Sequence, residues 1–135
     1  MDEFVYKTAV RIPETELLAL YGDAGWTSYT KDPEKLAKAV ANSGYVVSAW
    51  KEDTLIGLLR ALTDGETVFL IQDILVLNRY QKKGIGTALV KMALDHAKDM
   101  RQVLLQTDAG DVKANAFYKK MGFCTMEETG LQGYI

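Results

Sequence analysis

The feature that most constrains this chain is the Gly- and Lys-rich run at residues 81–87, Gln-Lys-Lys-Gly-Ile-Gly-Thr. An apolar run at residues 68–77 precedes it, and apolar residues recur every three or four positions over residues 85–99. The sequence therefore predicts a strand, a tight turn and a helix. A helix start carries unpaired N–H groups and a partial positive charge, and glycine lets a backbone approach a ligand closely. The run thus indicates a site for a phosphate-bearing ligand.

Two familiar phosphate loops fit this run poorly. The loop of P-loop NTPases ends in Gly-Lys-Ser/Thr, but here Thr87 follows Gly86 with no lysine between them. The dinucleotide loop needs a third small residue three positions after its second glycine, where this chain has Leu89. The dinucleotide loop also follows the first strand of its fold, whereas residues 81–87 follow the fourth predicted strand. An acyl-CoA loop is the third candidate.

The remaining pattern predicts one mixed α/β domain over residues 1–135. A strand at residues 4–11 and helices beginning at Pro13 and Pro33 come first. Strands at residues 45–50, 55–62 and 67–77, joined by short polar turns, predict an antiparallel meander. The helix after the loop then leads to a short strand at residues 103–107, which should lie parallel to the third strand of the meander. A helix at residues 113–121 and a terminal hairpin, residues 123–126 and 131–134, complete a mixed sheet with helices on both faces.

The composition narrows the class of protein. The net charge of −2 argues against a nucleic-acid partner. Cys124 is the only cysteine and His96 the only histidine, which excludes an intramolecular disulfide and a multi-cysteine or histidine-based metal site. We find no signal peptide in the first ten residues and no apolar run of membrane-spanning length. We therefore expect a cytoplasmic protein with no metal and no membrane partner, and expect Cys124 to be buried in its strand.

Two motifs carry a resemblance to a known family. Gln81-x-x-Gly84-x-Gly86 fits the motif Gln/Arg-x-x-Gly-x-Gly/Ala, and residues 115–123 resemble the block Asn-x-x-x-Phe/Tyr-Tyr-x-x-x-Gly-Phe, with the Asn unusually close to the aromatic residues. In order and spacing, the sequence resembles the GNAT superfamily of N-acetyltransferases, most strongly over residues 68–123. The resemblance implies a GNAT-like acyl-CoA N-acyltransferase fold, acetyl-CoA as co-substrate and direct transfer of the acetyl group to a primary amine.

The resemblance also implies where the co-substrate binds. The loop amides would hold the pyrophosphate, and the end of the preceding strand would pair with the pantetheine arm as another strand would. A backbone N–H of that strand could also stabilise the developing oxyanion. The implied cofactor-binding residues are Ile74, Leu75, Val76, Gln81, Lys82, Lys83, Gly84, Ile85, Gly86, Thr87 and Asn115.

The implied catalytic residues are Tyr118 and Asp73. Tyr118 lies in the family block, and a phenol with an ordinary pKa of about 10 would stay protonated as the general acid; the alternative is a half-buried packing tyrosine. Asp73 is a candidate general base, although the family's acidic base often lies further upstream, where this chain has Leu70. Gln72 could position a water instead, and a structural role for Asp73 stays open.

The sequence constrains the identity of the amine acceptor least. Trp26 and Tyr29 fall in a predicted loop, residues 22–30, and could form an apolar wall for an amine or simply fill the core. We expect a small-molecule amine acceptor. A protein N-terminus or lysine, or a CoA-binding regulatory domain without catalysis, are the alternatives. Because members of the family often dimerise through late strands, residues 123–135 are the expected contact of a homodimer.

Overall fold

The computed structural model describes residues 3–135 as two compact units, one ending at Leu105 and one running from Gln106 to Ile135. The first unit contains, in chain order, β1 Val5–Thr8, α1 Glu14–Asp23, α2 Thr27–Thr30, α3 Pro33–Ala41, β2 Tyr45–Lys51, β3 Thr54–Thr63, β4 Val68–Val76, a 3₁₀ helix Asn78–Tyr80, α4 Ile85–His96 and β5 Gln102–Leu105. The second unit contains α5 Val112–Lys120 and a 3₁₀ helix Glu127–Thr129.

The first unit is built on a five-stranded sheet in the order β1-β2-β3-β4-β5. Neighbours from β1 to β4 are antiparallel, while β5 lies parallel to β4 after the crossover through α4. This confirms the predicted meander and crossover, and the mixed α/β fold class. The central strand β3 is buried from Leu55 to Ala61, as expected for a strand covered on both faces.

Helices of the first unit cover opposite faces of this sheet. Tyr21 of α1 is hydrogen-bonded to Asp73, which lies opposite Arg60 in the β3–β4 register. Helix α4 instead packs on Gly57, where an added Cβ would lie 3.1 Å from Ile85 Cγ2. Since side chains alternate along a strand, positions 57 and 60 face opposite sides, and so do the two helices. Gly57 allows α4 to approach the sheet closely.

A bulge interrupts β4 beside Asp73. Arg60 pairs with Asp73 and Ala61 pairs with Ile71, so Gln72 is an extra residue without a partner on β3. Gln72 is exposed and Asp73 is buried. Because the bulge interrupts the regular alternation of the strand, the expected opposite orientation of the two side chains stays a prediction.

The second unit corrects two expectations. Residues 123–126 and 131–134 do not form strands, so the predicted terminal hairpin is wrong. Thr125 and Glu128 instead form a capping box: the Glu128 N–H donates to Thr125 Oγ1 at 3.4 Å, and the Thr125 N–H donates to Glu128 Oε1 at 3.5 Å. These bonds close a turn where a strand was expected. Cys124 is exposed rather than buried, because the strand that was expected to bury it does not form.

Within residues 3–135, no helix is long and apolar enough to cross a membrane.

Candidate active site

The Gly-Lys turn forms an open helix start. Gly84 precedes α4 with a φ of 84°, and no side chain caps the helix there. The helix ladder begins with the Ala88 N–H donating to the Gly84 carbonyl at 3.0 Å. The N–H groups of the first helical residues are therefore not engaged by a capping side chain, and Lys82 adds charge beside them. This arrangement fits a phosphate group.

Among the described residues of the first unit, the end of β4 has no paired strand on the side of β5. The pairing of β4 with β5 stops at Ile71 and Leu105, although β4 continues to Val76. The Leu77 N–H donates to the Ile56 carbonyl of β3 at 2.9 Å. Because successive residues of a strand direct their amides to opposite sides, the Val76 amide faces the edge left by β5. Such an edge fits an extended amide chain like pantetheine.

The Gln81 side chain folds back onto the end of this strand. Its Nε2 donates to the Val76 carbonyl at 3.3 Å and to Asn78 Oδ1 at 3.2 Å. Gln81 therefore connects the turn to β4 through its side chain as well as its backbone. Among the other predicted residues, Lys83 is exposed, Leu75 is buried, and Ile74 and Thr87 are half-buried.

Asp73 is the centre of a buried polar network. Its carboxylate accepts hydrogen bonds from Arg60 Nε, from the Tyr21 hydroxyl at 2.8 Å and from the Tyr29 hydroxyl at 3.1 Å. Arg60 also donates to Ser43 Oγ and to the Tyr29 hydroxyl, each at 3.2 Å. Asp73 and Arg60 are only 3% and 6% exposed. The carboxylate is buried and held by three donors, so this geometry supports the structural interpretation of Asp73.

The network around Asp73 also shifts the pKa values of its partners Tyr21 and Arg60. Burial raises the pKa of Tyr21 far above its ordinary value, and the adjacent Asp73 charge raises it further. Burial alone would lower the pKa of Arg60, but the hydrogen bond and charge of Asp73 outweigh burial and raise it. Both Tyr21 and Arg60 therefore keep their protons at neutral pH.

Trp26 and Tyr29 belong to one aromatic cluster with Tyr21. The ring centroids lie 5.1 Å apart for Tyr21 and Tyr29, 5.8 Å for Tyr21 and Trp26, and 6.0 Å for Trp26 and Tyr29. Tyr29 is half-buried and its hydroxyl is used by the Asp73 network, whereas Trp26 keeps 36% of its surface exposed. Tyr29 is thus partly engaged by the Asp73 network, while Trp26 keeps a surface that could contact a ligand.

Tyr118 and Asn115 lie on α5 in the second unit. Tyr118 is half-buried, and its ring is in edge contact with Phe117 and Phe123 at centroid distances of 5.4 Å and 6.1 Å. Burial, and secondarily the Asp111 charge, raise the pKa of Tyr118 above its ordinary value. The phenol is therefore protonated at neutral pH, as a general acid must be.

The amide of Asn115 is used within its own unit. Nδ2 donates to the carbonyls of Asp108 and Asp111, at 2.9 Å and 2.8 Å. These bonds hold the turn that begins α5, and they leave Oδ1 as the remaining polar atom of the side chain.

Sequence reasoning missed Arg60, Asn78 and Asp23. Arg60 is the one charge in an otherwise apolar run, and Asp73 is the one acid in the next run, so charge pairing between neighbouring strands could have indicated the ion pair. Asp23 and Asn78 are bonded across the fold, and no local pattern indicates that contact.

Comparisons with known proteins give the family and the fold of this chain. A model of the acetyltransferase (GNAT) family matches residues 11–123. The solved structure of a GNAT-family acetyltransferase from Streptococcus pneumoniae TIGR4 is 33% identical and has a TM-score of 0.85, covering 98% of this chain and 96% of that one.

Two relatives of known name are longer than this chain. Histone acetyltransferase TAP1 of Glycine max is 27% identical over 98% of this chain and 61% of its own length. Streptothricin acetyltransferase A of Bacillus subtilis is 35% identical over 53% of this chain and 43% of its own length. The chain thus spans about half the length of these two relatives.

Proposed function

Because this chain belongs to the acetyltransferase (GNAT) family and is an N-acetyltransferase, we propose that it transfers an acetyl group from acetyl-CoA directly to a primary amine of a small molecule. The observation that carries this proposal is the open edge of β4 beside an uncapped helix start. Acetyl-CoA supplies the acetyl group as a thioester. The residues proposed to hold it are those of the β4 end, the turn at residues 81–87 and Asn115.

Two further roles complete the proposal. Tyr118 is the general acid for the leaving thiolate, supported by its raised pKa. The proton of the acceptor ammonium leaves through a water positioned by Gln72, the exposed residue at the β4 bulge. Asp73 has an indirect role, because it binds the hydroxyl of Tyr29, whose ring contacts that of Trp26.

The exposed part of Trp26 supports a small acceptor with an aromatic or aliphatic body. The Bacillus subtilis relative is named for a small-molecule substrate, streptothricin, which agrees with that choice. A protein amine is the second candidate, because the Glycine max relative is named a histone acetyltransferase. Cytoplasmic location and a homodimer contact through residues 123–135 stay predictions.

Calorimetry with acetyl-CoA tests the co-substrate site. We expect saturable binding by the wild type and none by Gly86→Asp, because the new carboxylate would repel the pyrophosphate at the helix start. Gly110→Asp is the matched control, since an added Cβ there meets no atom within 4 Å. Absence of binding by the wild type would refute the proposal.

An acceptor screen then identifies the amine. Release of free CoA is followed with polyamines, arylalkylamines, amino acids, aminoglycosides, streptothricin and lysine peptides. Turnover of a small amine supports the proposal, and turnover of peptides alone supports the second candidate. Binding of acetyl-CoA without turnover of any amine would indicate a CoA-binding regulatory domain.

A further inference from the structure

Three leucines form a row across the sheet, one on each of β3, β4 and β5. Leu62 lies opposite Leu70 in the register of β3 and β4, and Leu70 lies beside Leu104 in the register of β4 and β5. Since neighbouring strands are about 4.8 Å apart, this leucine row is about 10 Å wide. Leu62 is 43% exposed, and the other two are half-buried. The leucine row is therefore an apolar surface that stays partly open to solvent.

Strand alternation gives the face on which the leucine row lies. The ring of Phe69 contacts that of His96 on α4, with centroids 6.1 Å apart, so Phe69 points to the α4 face of the sheet. Leu70 is the next residue of β4 and points to the opposite face. Residues paired across neighbouring strands share a face, so Leu62 and Leu104 point there as well.

This face also carries the aromatic cluster. Arg60 precedes Leu62 by two positions on β3, so the two side chains share a face about 7 Å apart along the strand. The Arg60 Cζ lies 5.7 Å from the centroid of the Tyr29 ring, and that ring contacts Trp26. The leucine row and Trp26 therefore lie on the same side of the sheet, joined through Arg60 and Tyr29.

The leucine row ends at the point where β4 and β5 part. On this face, Leu70 and Leu104 are the last pair before the open edge of β4. A pantetheine arm that starts at residues 81–87 and follows this edge from Val76 inward brings its thioester toward that pair. An amine that attacks the thioester from this face lies over the leucine row.

Charge on the three strands favours one class of amine. Within the described strands β3, β4 and β5, Arg60 and Asp73 are the only charged residues, and they are paired with each other. An acceptor over the leucine row therefore meets no free carboxylate from these strands. Burial of an alkyl or aryl body on leucine is favourable, whereas burial of a second ammonium group without a partner is costly.

We propose that the leucine row is the floor of the acceptor site and that it selects a monoamine with an apolar body over a diamine of the same length. The inference rests on the proposed function and names its substrate class. Leu70, at the end of the row beside the open edge, is the residue that determines specificity most strongly. Leu62 contacts the far end of the acceptor.

Two amines of equal length test this inference. Hexylamine and hexamethylenediamine differ only in the second ammonium group. With the wild type, kcat/KM should be at least about tenfold higher for hexylamine, because the diamine must bury its second charge. Along the series from propylamine to hexylamine, kcat/KM should rise about two- to fourfold with each methylene group.

Substitutions in the leucine row should change this preference. Leu70→Glu introduces a carboxylate that can bind the second ammonium group, and it should lower the ratio of kcat/KM for hexylamine over hexamethylenediamine at least about tenfold. The ratio is independent of any effect of the carboxylate on the transfer step, which both amines share. Leu62→Glu, at the most exposed leucine of the row, should lower the ratio by a smaller factor and serves if Leu70→Glu does not fold. Leu94→Glu, at a half-buried leucine of α4, is the matched control and should keep the wild-type ratio.

Several outcomes would overturn the inference alone, in a protein that binds acetyl-CoA. These are equal kcat/KM for the two amines, turnover of neither amine, or a wild-type ratio in both Leu70→Glu and Leu62→Glu. A wild-type dimer that dissociates in Leu62→Glu, followed by sedimentation velocity, would show that a second copy covers the leucine row. A larger fall of the urea midpoint in Leu62→Glu than in Leu94→Glu would show that the row is packed against other parts of the protein. Absence of acetyl-CoA binding by calorimetry would overturn the proposed function together with the inference.

Discussion

Replacement of Asp73 by asparagine separates a structural role from a catalytic one. The variant keeps the shape of the side chain but removes its charge, which leaves the Arg60 guanidinium buried without a counter-ion. The hydroxyls of Tyr21 and Tyr29 donate to different oxygens of Asp73, and asparagine has only one side-chain oxygen, so one of the two hydroxyls loses its acceptor. The structure therefore predicts a large loss of stability.

The size of that loss follows from burial. Removal of one partner from a buried ion pair typically costs about 3–5 kcal/mol, because the remaining charge is uncompensated. Asp73 and Arg60 are 3% and 6% exposed, so solvent cannot replace the missing partner. Since small proteins are stable by about 5–15 kcal/mol, Asp73→Asn should remain folded at room temperature but unfold at much lower urea concentration.

The assay is urea unfolding at pH 7, with turnover normalised to the folded fraction. Asp99→Asn, at an exposed position, should change the free energy of unfolding by less than about 0.5 kcal/mol. Replacement of both partners, Arg60→Met with Asp73→Leu, should recover much of the loss, because neither charge then remains buried. If Asp73→Asn loses less than about 1 kcal/mol but turnover per folded molecule falls more than about 100-fold, Asp73 is the general base and our reasoning is wrong.

Three other predictions follow from the same structure. Tyr118→Phe should lower kcat by about 100-fold or more in steady-state assays and leave the Kd of acetyl-CoA by calorimetry nearly unchanged. Gly57→Ala should destabilise the protein by about 1–3 kcal/mol in urea and weaken CoA binding, because its Cβ would press on Ile85 at the start of α4. Stability should decline above about pH 10 in thermal melts, because burial raises the pKa of Tyr21 and the unfolded chain loses that proton first.

Each of these predictions has a contradicting outcome. An unchanged rate in Tyr118→Phe would exclude it as the acid. Gly22→Ala is the control for Gly57→Ala, since no atom lies within 4 Å of its added Cβ; equal effects at both positions would contradict the packing argument. A Tyr21→Phe variant with the same decline at high pH would show that other groups cause it.

The sequence predicts the co-substrate side of this site better than the acceptor side. Residues 81–87 are contiguous, and the roles of Gly84 and the helix start follow from local backbone rules, so a single chain suffices to predict them. The network around Asp73 depends instead on which strands become neighbours and on their register, which places Arg60 opposite Asp73. The terminal hairpin was predicted wrongly because the capping box between Thr125 and Glu128 was not recognised.

The open edge of β4 also has a consequence for the behaviour of the protein in solution. Unpaired strand edges are the places where copies of a chain begin to stack into aggregates, and natural proteins usually cover or charge them. Here the edge beyond Ile71 is needed for the proposed pairing with pantetheine, so it cannot be blocked by a permanent neighbour on β4. We therefore expect the ligand-free protein to precipitate more readily than the CoA complex, and CoA to act as a solubility aid during purification and storage.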